Sequence, residues 1–277
     1  MVRDFKREAV EAGCGKMAFG HGGTLDPFAE GLLLILAGQA TRLMELMHSL
    51  PKTYLAKIAW GTETDTCDHL GLSVAKGLVS LSMPVDRALS SFLGWQDQIP
   101  PDTCAKKING ESAYKKAHRG EVVALSSSRV YLHSASWISH DMPSSSTLKI
   151  TCKGGYYVRA LARDLGRVLG CHAHLSALVR TDIGPWGVPD FGDRRSIQGE
   201  ELLPWCKLRA LNSSEADHLC HGRPIPLGDI KDGTWTPPTE YPSFNKPIRG
   251  MHQGKLVALL QEREGQLWTY ANLRGGI

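Results

Sequence analysis

The segment that most constrains the fold is residues 156–169, where apolar side chains recur at intervals of three and four. This spacing predicts an amphipathic helix that ends at Gly170. Its apolar stripe consists of Val158, Leu161, Ala162, Leu165, Val168 and Leu169. Arg159, Arg163 and Arg167 recur every four residues on a different face, so they can point together at one partner. A helix of this kind has to bury its apolar face against another element.

The segments around this helix have strand character. Strands are predicted at residues 54–60, 129–139, 147–153 and 174–182, with short strands at 16–19 and 32–37. Further helices are predicted at residues 4–12, 39–49, 84–93 and 112–119. The order of these elements indicates a fold of mixed α and β structure.

A boundary is expected between residues 184 and 204, where Gly and Pro recur. We therefore predict a larger domain over residues 1–190 and a small one over residues 205–277. Strand pairs at residues 255–262 and 266–270 indicate that the smaller region is rich in β structure.

Several classes of protein are disfavoured by composition. Apolar runs such as residues 32–37 are far shorter than the roughly 20 residues of a membrane helix, and residues 1–9 are charged. The seven cysteines are scattered without a CxxC pair, and His172 and His174 lack a second ligand pair at a finger-like spacing. We expect a cytoplasmic protein with reduced thiols, no membrane partner and no metal.

The net charge of +4 hides two concentrations of positive charge. Within residues 104–119 only Glu111 opposes five basic side chains, which are Lys106, Lys107, Lys115, Lys116 and Arg119. Within residues 149–180 six basic residues face only Asp164. Charge alone leaves two interpretations open, a solvated basic face and a surface that binds phosphates.

Residues 20–27 read Gly-His-Gly-Gly-Thr-Leu-Asp-Pro. The glycines allow the backbone to approach a ligand closely, and Pro27 biases Asp26 toward an extended conformation. An aspartate with an ordinary pKa near 3.9 is ionised at neutral pH and needs no separate base. The same residues are common in simple turns, so the local pattern leaves open both a turn and a stiff loop carrying a carboxylate.

Four ordered segments carry further motifs, namely residues 20–31 with 36–42, residues 52–54 with 61–68, residues 99–110 with 114–120, and residues 153–159 with 164–166, 169–175 and 178–180. Together they resemble the motifs of the TruB-type tRNA pseudouridine synthases. The resemblance covers about residues 16–182. It implies an α+β fold of the pseudouridine synthase type, with a mixed, mainly antiparallel sheet flanked by helices and a small β-rich, PUA-like appendix.

The resemblance also implies roles for individual residues. Asp26 matches the catalytic nucleophile, Tyr54 the active-site tyrosine and Arg159 the arginine that pairs with the aspartate. Leu178 matches an apolar wall of the uracil pocket, and His21 a histidine that takes the place of the flipped-out nucleotide. Other implied substrate-binding positions are Arg42, Asp68, Tyr157, Lys106, Lys107, Lys115, Lys116 and Arg119.

What the resemblance implies about activity is the isomerisation of uridine to pseudouridine in the T loop of tRNA, at position 55. The expected enzyme is a monomer whose partner is the tRNA T stem-loop, and it uses no cofactor. A tRNA-binding protein or chaperone with crippled catalysis is the alternative. The family's Leu-Asp-Lys-Pro-x-Gly segment does not precede the first predicted helix, which we expect to reflect either a late start codon or a truncated copy, and only a truncated copy favours that alternative. His118 stands where the family usually has an arginine, which affects one expected contact with the RNA backbone. The presence of Asp26, Tyr54 and Arg159 together favours the enzyme.

Overall fold

A computed structural model of the protein describes residues 2–104, 107–108, 111–112, 119, 125–188 and 193–277. Its helices within these ranges are α1 (Val2–Glu11), α2 (Met44–Ser49), α3 (Val85–Ser90), α4 (Val158–Val168) and α5 (Ser213–Cys220), with short 3-10 helices at Gly38–Leu43 and Gly199–Glu201. The strands up to residue 112 are β1 (Phe19–His21), β2 (Glu30–Gly31), β3 (Ile35–Ala37), β4 (Lys52–Trp60), β5 (Thr62–Thr64), β6 (Ser73–Lys76), β7 (Gly94–Gln98), β8 (Lys107–Ile108) and β9 (Glu111–Ser112). The later strands are β10 (Ser128–Asp141), β11 (Ser145–Cys152), β12 (Ala173–Ile183), β13 (Trp186–Gly187), β14 (Leu208–Ala210), β15 (Ile225–Pro226), β16 (Ile230–Lys231), β17 (Ile248–His252), β18 (Lys255–Arg263) and β19 (Gln266–Asn272).

The chain divides into two compact units. The first unit contains Leu25–Leu32 and Pro51–Ile183, and the second contains Met1–Thr24, Leu33–Leu50 and Gly184–Ile277. The second unit therefore joins amino-terminal segments to the carboxy-terminal region. The two predicted domains, residues 1–190 and 205–277, stay a prediction.

The first unit is built on a sheet with the strand order β12-β4-β11-β10-β7. All four pairings along this path are antiparallel, and β2 lies parallel beside β12. The prediction of a mixed, mainly antiparallel sheet with helices is confirmed. The strand β4 alternates between buried and more accessible positions, because one of its faces packs into the core.

Helix α4 covers the core face of this sheet. Leu161, Ala162 and Leu165 of the helix share one buried cluster with Tyr54 and Ile58 of β4. Close packing at the end of the helix depends on a missing side chain. A Cβ on Gly166 would lie 2.2 Å from the main-chain nitrogen of Ala173, where β12 begins.

Most predicted elements exist, with shifted ends. The helix predicted at residues 39–49 is a 3-10 helix that continues as α2, and the strand predicted at 16–19 is instead β1, Phe19–His21. The basic helix predicted at residues 112–119 lies mostly outside the described residues.

The second unit contains the β1–β3 pair and a carboxy-terminal sheet of order β15-β19-β18-β17-β14-β16. Asn212 and Glu215 form a reciprocal capping box at the start of α5. It supplies acceptors for main-chain amides that have no partner within the helix. Leu219 of α5 packs with Leu260 and Leu267 of the sheet. The predicted β-rich character of this region is confirmed, whereas its likeness to a PUA domain stays a prediction.

Within the residues that the structure describes, no helix is long and apolar enough to cross a membrane. No group of three or more His, Cys, Asp or Glu side chains among those residues is arranged to hold a metal ion. All seven cysteines are free, and five of them are buried.

Candidate active site

The segment that carries Asp26 is fixed against β12. The amide of Leu32 donates to the carbonyl of Arg180 at 2.8 Å, and Glu30 pairs with Val179. Gly31 makes this approach possible, because its φ of +96° is unfavourable for other residues and a Cβ there would lie 2.3 Å from the Arg180 carbonyl oxygen. Asp26 is thus held near an ordered strand.

Arg159, in the first turn of α4, reaches across to this segment. Its Nε donates to Oδ2 of Asp26 at 3.1 Å, and its Nη2 donates to Oδ1 at 2.7 Å. Such a two-point contact fixes the carboxylate in orientation as well as in position. The Arg159 side chain is only 4% exposed, whereas that of Asp26 is 30% exposed. The carboxylate therefore remains accessible while its partner is buried.

Arg159 also binds a second carboxylate and two loops. Its Nη1 donates to Oδ2 of Asp68 at 3.2 Å and to the carbonyl of Thr66 at 2.9 Å. The carbonyl and the hydroxyl of Thr103 accept hydrogen bonds from Nη2 at 3.1 Å and from Nη1 at 2.9 Å. All three guanidinium nitrogens are engaged, which is how a buried arginine is satisfied.

Asp68 is held within the protein. Its Oδ1 accepts from the Thr66 hydroxyl at 2.7 Å and from the Leu70 amide at 3.0 Å, and its side chain is buried. The structure therefore places Asp68 as a support for Arg159. Its predicted contact with substrate stays a prediction.

Tyr54 lies on β4 directly opposite Arg180 of β12. Burial raises the pKa of the Tyr54 phenol above its ordinary range, and electrostatic interactions with Cys152 and Asp26 raise it further. A hydrogen bond with the Arg180 side chain lowers this pKa but does not offset burial. The phenol is therefore protonated at neutral pH and lies within electrostatic reach of Asp26. Arg180 itself is fully buried, and its Nε donates to the carbonyl of Leu32 at 2.8 Å.

Leu178 and Tyr157 also lie around this centre. Leu178 is buried in the same cluster as Tyr54 and pairs with Ala56 of β4. Burial raises the pKa of Tyr157 to about 12, and electrostatic and hydrogen-bond interactions with Cys104 and the charge of Asp26 act in the same direction. The predicted residues Asp26, Tyr54, Asp68, Tyr157, Arg159 and Leu178 are thus all part of the first unit.

The other two arginines of α4 bind the chain itself. Arg163 donates to the carbonyl of Ile99 at 2.8 Å, and Arg167 donates to Glu63 at 2.5 and 3.0 Å. Burial alone would raise the pKa of Glu63, but hydrogen bonds from Arg167 and His172 outweigh it and lower this pKa. The arginine face of α4 therefore has intramolecular partners among residues 26–103.

Comparison with known proteins identifies the family of this chain. Residues 12–158 match the family model described as TruB family pseudouridylate synthase, N terminal domain. The chain belongs to the TruB family. A protein named tRNA pseudouridine synthase B from Nitrobacter winogradskyi is 44% identical over 191 residues, covering 68% of this chain and 51% of that protein. Its namesake from Novosphingobium aromaticivorans is 34% identical over 274 residues, covering 97% of this chain and 84% of that protein.

The chain thus spans about half the length of the first of these TruB relatives and most of the second. A chain in a crystal structure of a Cbf5–Nop10–Gar1 complex is 17% identical, with a TM-score of 0.62, covering 92% of this chain and 76% of that one. This similarity shows a shared fold. The resemblance found in the sequence is confirmed, and so is the pseudouridine synthase type of fold.

Other predicted positions of this TruB family member lie elsewhere. His21 and Arg42 belong to the second unit, where His48 donates to the carbonyl of His21 at 3.1 Å and Arg42 donates to the carbonyl of Asn272. Arg119 is exposed. The predicted RNA contacts of Lys106, Lys115 and Lys116 lie outside the described residues, as does the side chain of Lys107. Roles in substrate binding stay predictions for all of these residues.

Some residues around Arg159 carry no signal in the sequence. Thr103 and Thr66 contact Arg159, yet neither belongs to a pattern that marks a ligand of an arginine. The Gln98 side chain pairs with the main chain of Tyr157 through two hydrogen bonds of 2.9 and 3.0 Å, which the sequence equally leaves unmarked. Arg180 ends the last of the four segments that resemble the family, and this position is the signal in the sequence that marks it.

Proposed function

We propose that this chain isomerises uridine to pseudouridine in tRNA, in the T loop at position 55. The observation that carries the proposal is the pair of an accessible Asp26 carboxylate and a buried Arg159 that binds it at two points. Membership in the TruB family and the names of the relatives support the same reaction.

The reaction needs a nucleophile but no redox partner. The bond from N1 of uracil to C1′ of ribose breaks, the base turns, and a bond from C5 to C1′ forms. C5 loses a proton and N1 gains one, so the product is an isomer of the substrate. A carboxylate on a fixed loop is suited to act as the nucleophile on the nucleotide as the base detaches, and we assign this role to Asp26.

Tyr54 supplies a face for the uracil. Its raised pKa keeps the phenol neutral, which favours stacking and hydrogen bonding over action as a phenolate base. Leu178, buried beside Tyr54 in the same cluster, would close the apolar side of the pocket.

The target base must leave its stack to reach a carboxylate held against a strand. Flipping a nucleotide costs a few kcal/mol, and stacking on an aromatic side chain returns about 1 to 3 kcal/mol. The basic segment around Lys106 and Lys115 would supply phosphate contacts that hold the stem while the base is displaced.

The deciding experiment is pseudouridine formation in an unmodified tRNA transcript with the wild-type chain, with Asp26→Asn and with Asp86→Asn. Asp86 is exposed on α3 and makes a matched control for the same change. We expect activity in the wild type and in Asp86→Asn, and none in Asp26→Asn with tRNA binding retained. A wild-type chain that binds tRNA without converting it would instead make the protein a tRNA-binding protein.

A further inference from the structure

Thr103 makes two contacts with the guanidinium that holds the proposed nucleophile. Its carbonyl accepts from Nη2 of Arg159 at 3.1 Å, and its hydroxyl accepts from Nη1 at 2.9 Å. Asp26 occupies the edge formed by Nε and Nη2. The nucleophile and Thr103 therefore hold two adjacent edges of one planar group, which leaves its plane little freedom.

The segment that carries Thr103 is itself fastened to the start of α4. Gln98 is buried, and its amide both donates to and accepts from the main chain of Tyr157. One residue further on, the carbonyl of Ile99 accepts from Arg163 at 2.8 Å. Thr103 thus reaches Arg159 from a backbone that α4 anchors at two other points.

We propose that Thr103 is a positioning residue that orients the Arg159 guanidinium toward Asp26 in the reaction proposed above. The inference rests on that proposed function and adds a residue to it. Thr103 also directly precedes the basic segment, residues 104–119, that is expected to bind RNA. Its contact with Arg159 therefore links the start of that segment to the pair of Asp26 and Arg159.

The geometry separates this role from a structural one. Nη1 carries two hydrogens but has three acceptors, namely the Thr66 carbonyl, the Asp68 carboxylate and the Thr103 hydroxyl. Loss of the hydroxyl therefore leaves no donor of Nη1 unsatisfied, and the stability of the fold should change little. The orientation of the guanidinium should change, because one edge loses a fixed contact.

The test compares Thr103→Val, which keeps the shape without the hydroxyl, with Thr103→Ser, which keeps the hydroxyl. Thr269→Val is the control, because the Thr269 hydroxyl donates to a main-chain carbonyl of α5 in the second unit. Single-turnover rates at saturating enzyme, the Kd for an unmodified tRNA transcript and the thermal midpoint are measured for each full-length chain.

We expect Thr103→Val to lower the single-turnover rate about tenfold, with the Kd within about twofold of wild type. Thr103→Ser and Thr269→Val should retain the wild-type rate. The proposal is overturned by an unchanged rate in Thr103→Val, by a Thr103→Ser rate as low as that of Thr103→Val, or by a loss confined to the Kd. If Thr103→Val does not fold, Thr103→Ala replaces it with the same expectation. A wild-type chain without activity overturns the proposed function and this inference together. If the wild type is active, the Thr103 variants test the inference alone.

Discussion

Asp26 and Arg159 lie 133 positions apart in the sequence, yet their side chains meet through two hydrogen bonds of 2.7 and 3.1 Å. The buried Arg159 guanidinium therefore binds two carboxylates, because Asp68 also accepts a hydrogen bond from it at 3.2 Å. Asp68 is buried and Asp26 is partly exposed, so only one of the two acids is accessible to a substrate. The accessible carboxylate of the centre thus lies at the position where the chemistry is proposed.

Arg159→Lys should reduce pseudouridine formation about a hundredfold. An ammonium group is a point charge without the planar fork, so it cannot hold both oxygens of Asp26 in one orientation. Partners such as the Thr103 carbonyl would also lose a donor, which should lower the free energy of unfolding by about 1 to 3 kcal/mol. Single-turnover kinetics and denaturant unfolding measure the two effects. Arg129→Lys, at an exposed ion pair with a separation of 3.6 Å, should match wild type in both, and an equally active Arg159→Lys would remove the oriented pair from the mechanism.

Gly31→Ala should destabilise the protein more than Gly94→Ala does. Both glycines have positive φ, of +96° and +83°, so both substitutions cost backbone strain. A Cβ at Gly31 would also lie 2.3 Å from the Arg180 carbonyl oxygen, whereas a Cβ at Gly94 would meet no atom within 4 Å. The added overlap should cost about a further 1 to 3 kcal/mol in unfolding free energy. The overlap should also displace the segment that carries Asp26 and slow catalysis. Equal effects of the two variants on stability would mean that the close approach of Gly31 to β12 does not contribute to the stability of the fold.

Much of this centre was accessible from local pattern. The composition of residues 54–60 predicts a strand, and in the structure the alternating burial of β4 puts Tyr54 on its core face. The four-residue spacing of Arg159, Arg163 and Arg167 predicts one shared face of the helix. Their partners differ, however, since Arg159 binds Asp26, Arg163 the carbonyl of Ile99 and Arg167 Glu63. Such inferences succeed because they depend only on residues within a single strand or helix.

The contacts of Thr103 and the full burial of Arg180 were not accessible in this way. The first depends on where a loop returns to a helix 56 positions later, and no local period encodes that distance. The burial of Arg180 depends on the pairing of β12 with β4 and on a hydrogen bond from its Nε to the carbonyl of Leu32. From the strand pattern alone, a charged side chain would be expected near solvent. The 3-10 helix at Gly38–Leu43 similarly differs from the α-helical expectation, since apolar spacing hardly separates the two kinds of turn.

Lys52→Met should stabilise the protein most at pH 7 and below. Burial lowers the pKa of the Lys52 amine to about 7, and the positive charges of Arg180 and Lys153 act in the same direction, against Cys152. Between pH 7 and about 10.5 the unfolded chain retains a proton on Lys52 that the folded chain has lost. The stability of the wild type relative to Lys52→Met should therefore rise with pH across this range, because the free energy needed to remove this proton on folding falls as the pH approaches 10.5.

Denaturant unfolding at several pH values measures this difference directly. Lys57→Met is the matched control, since Lys57 is exposed on the same strand and should give a difference that is independent of pH. A difference between wild type and Lys52→Met that stays constant from pH 7 to 10 would mean that the Lys52 amine keeps its ordinary pKa in the fold.

Lys106→Glu combined with Lys107→Glu should weaken tRNA binding and flatten its dependence on salt. Each phosphate that a cation neutralises releases counterions, so each lost contact lowers the slope of log K against log salt by about 0.9 or less. Lys76→Glu with Arg87→Glu makes the same change in net charge at two exposed residues outside this basic segment, and its slope should equal that of wild type. Filter binding over a range of salt concentrations separates a phosphate contact from a general effect of charge. If both double variants weaken binding equally with the same slope, the basic segment acts through the protein's overall field and makes no direct phosphate contacts.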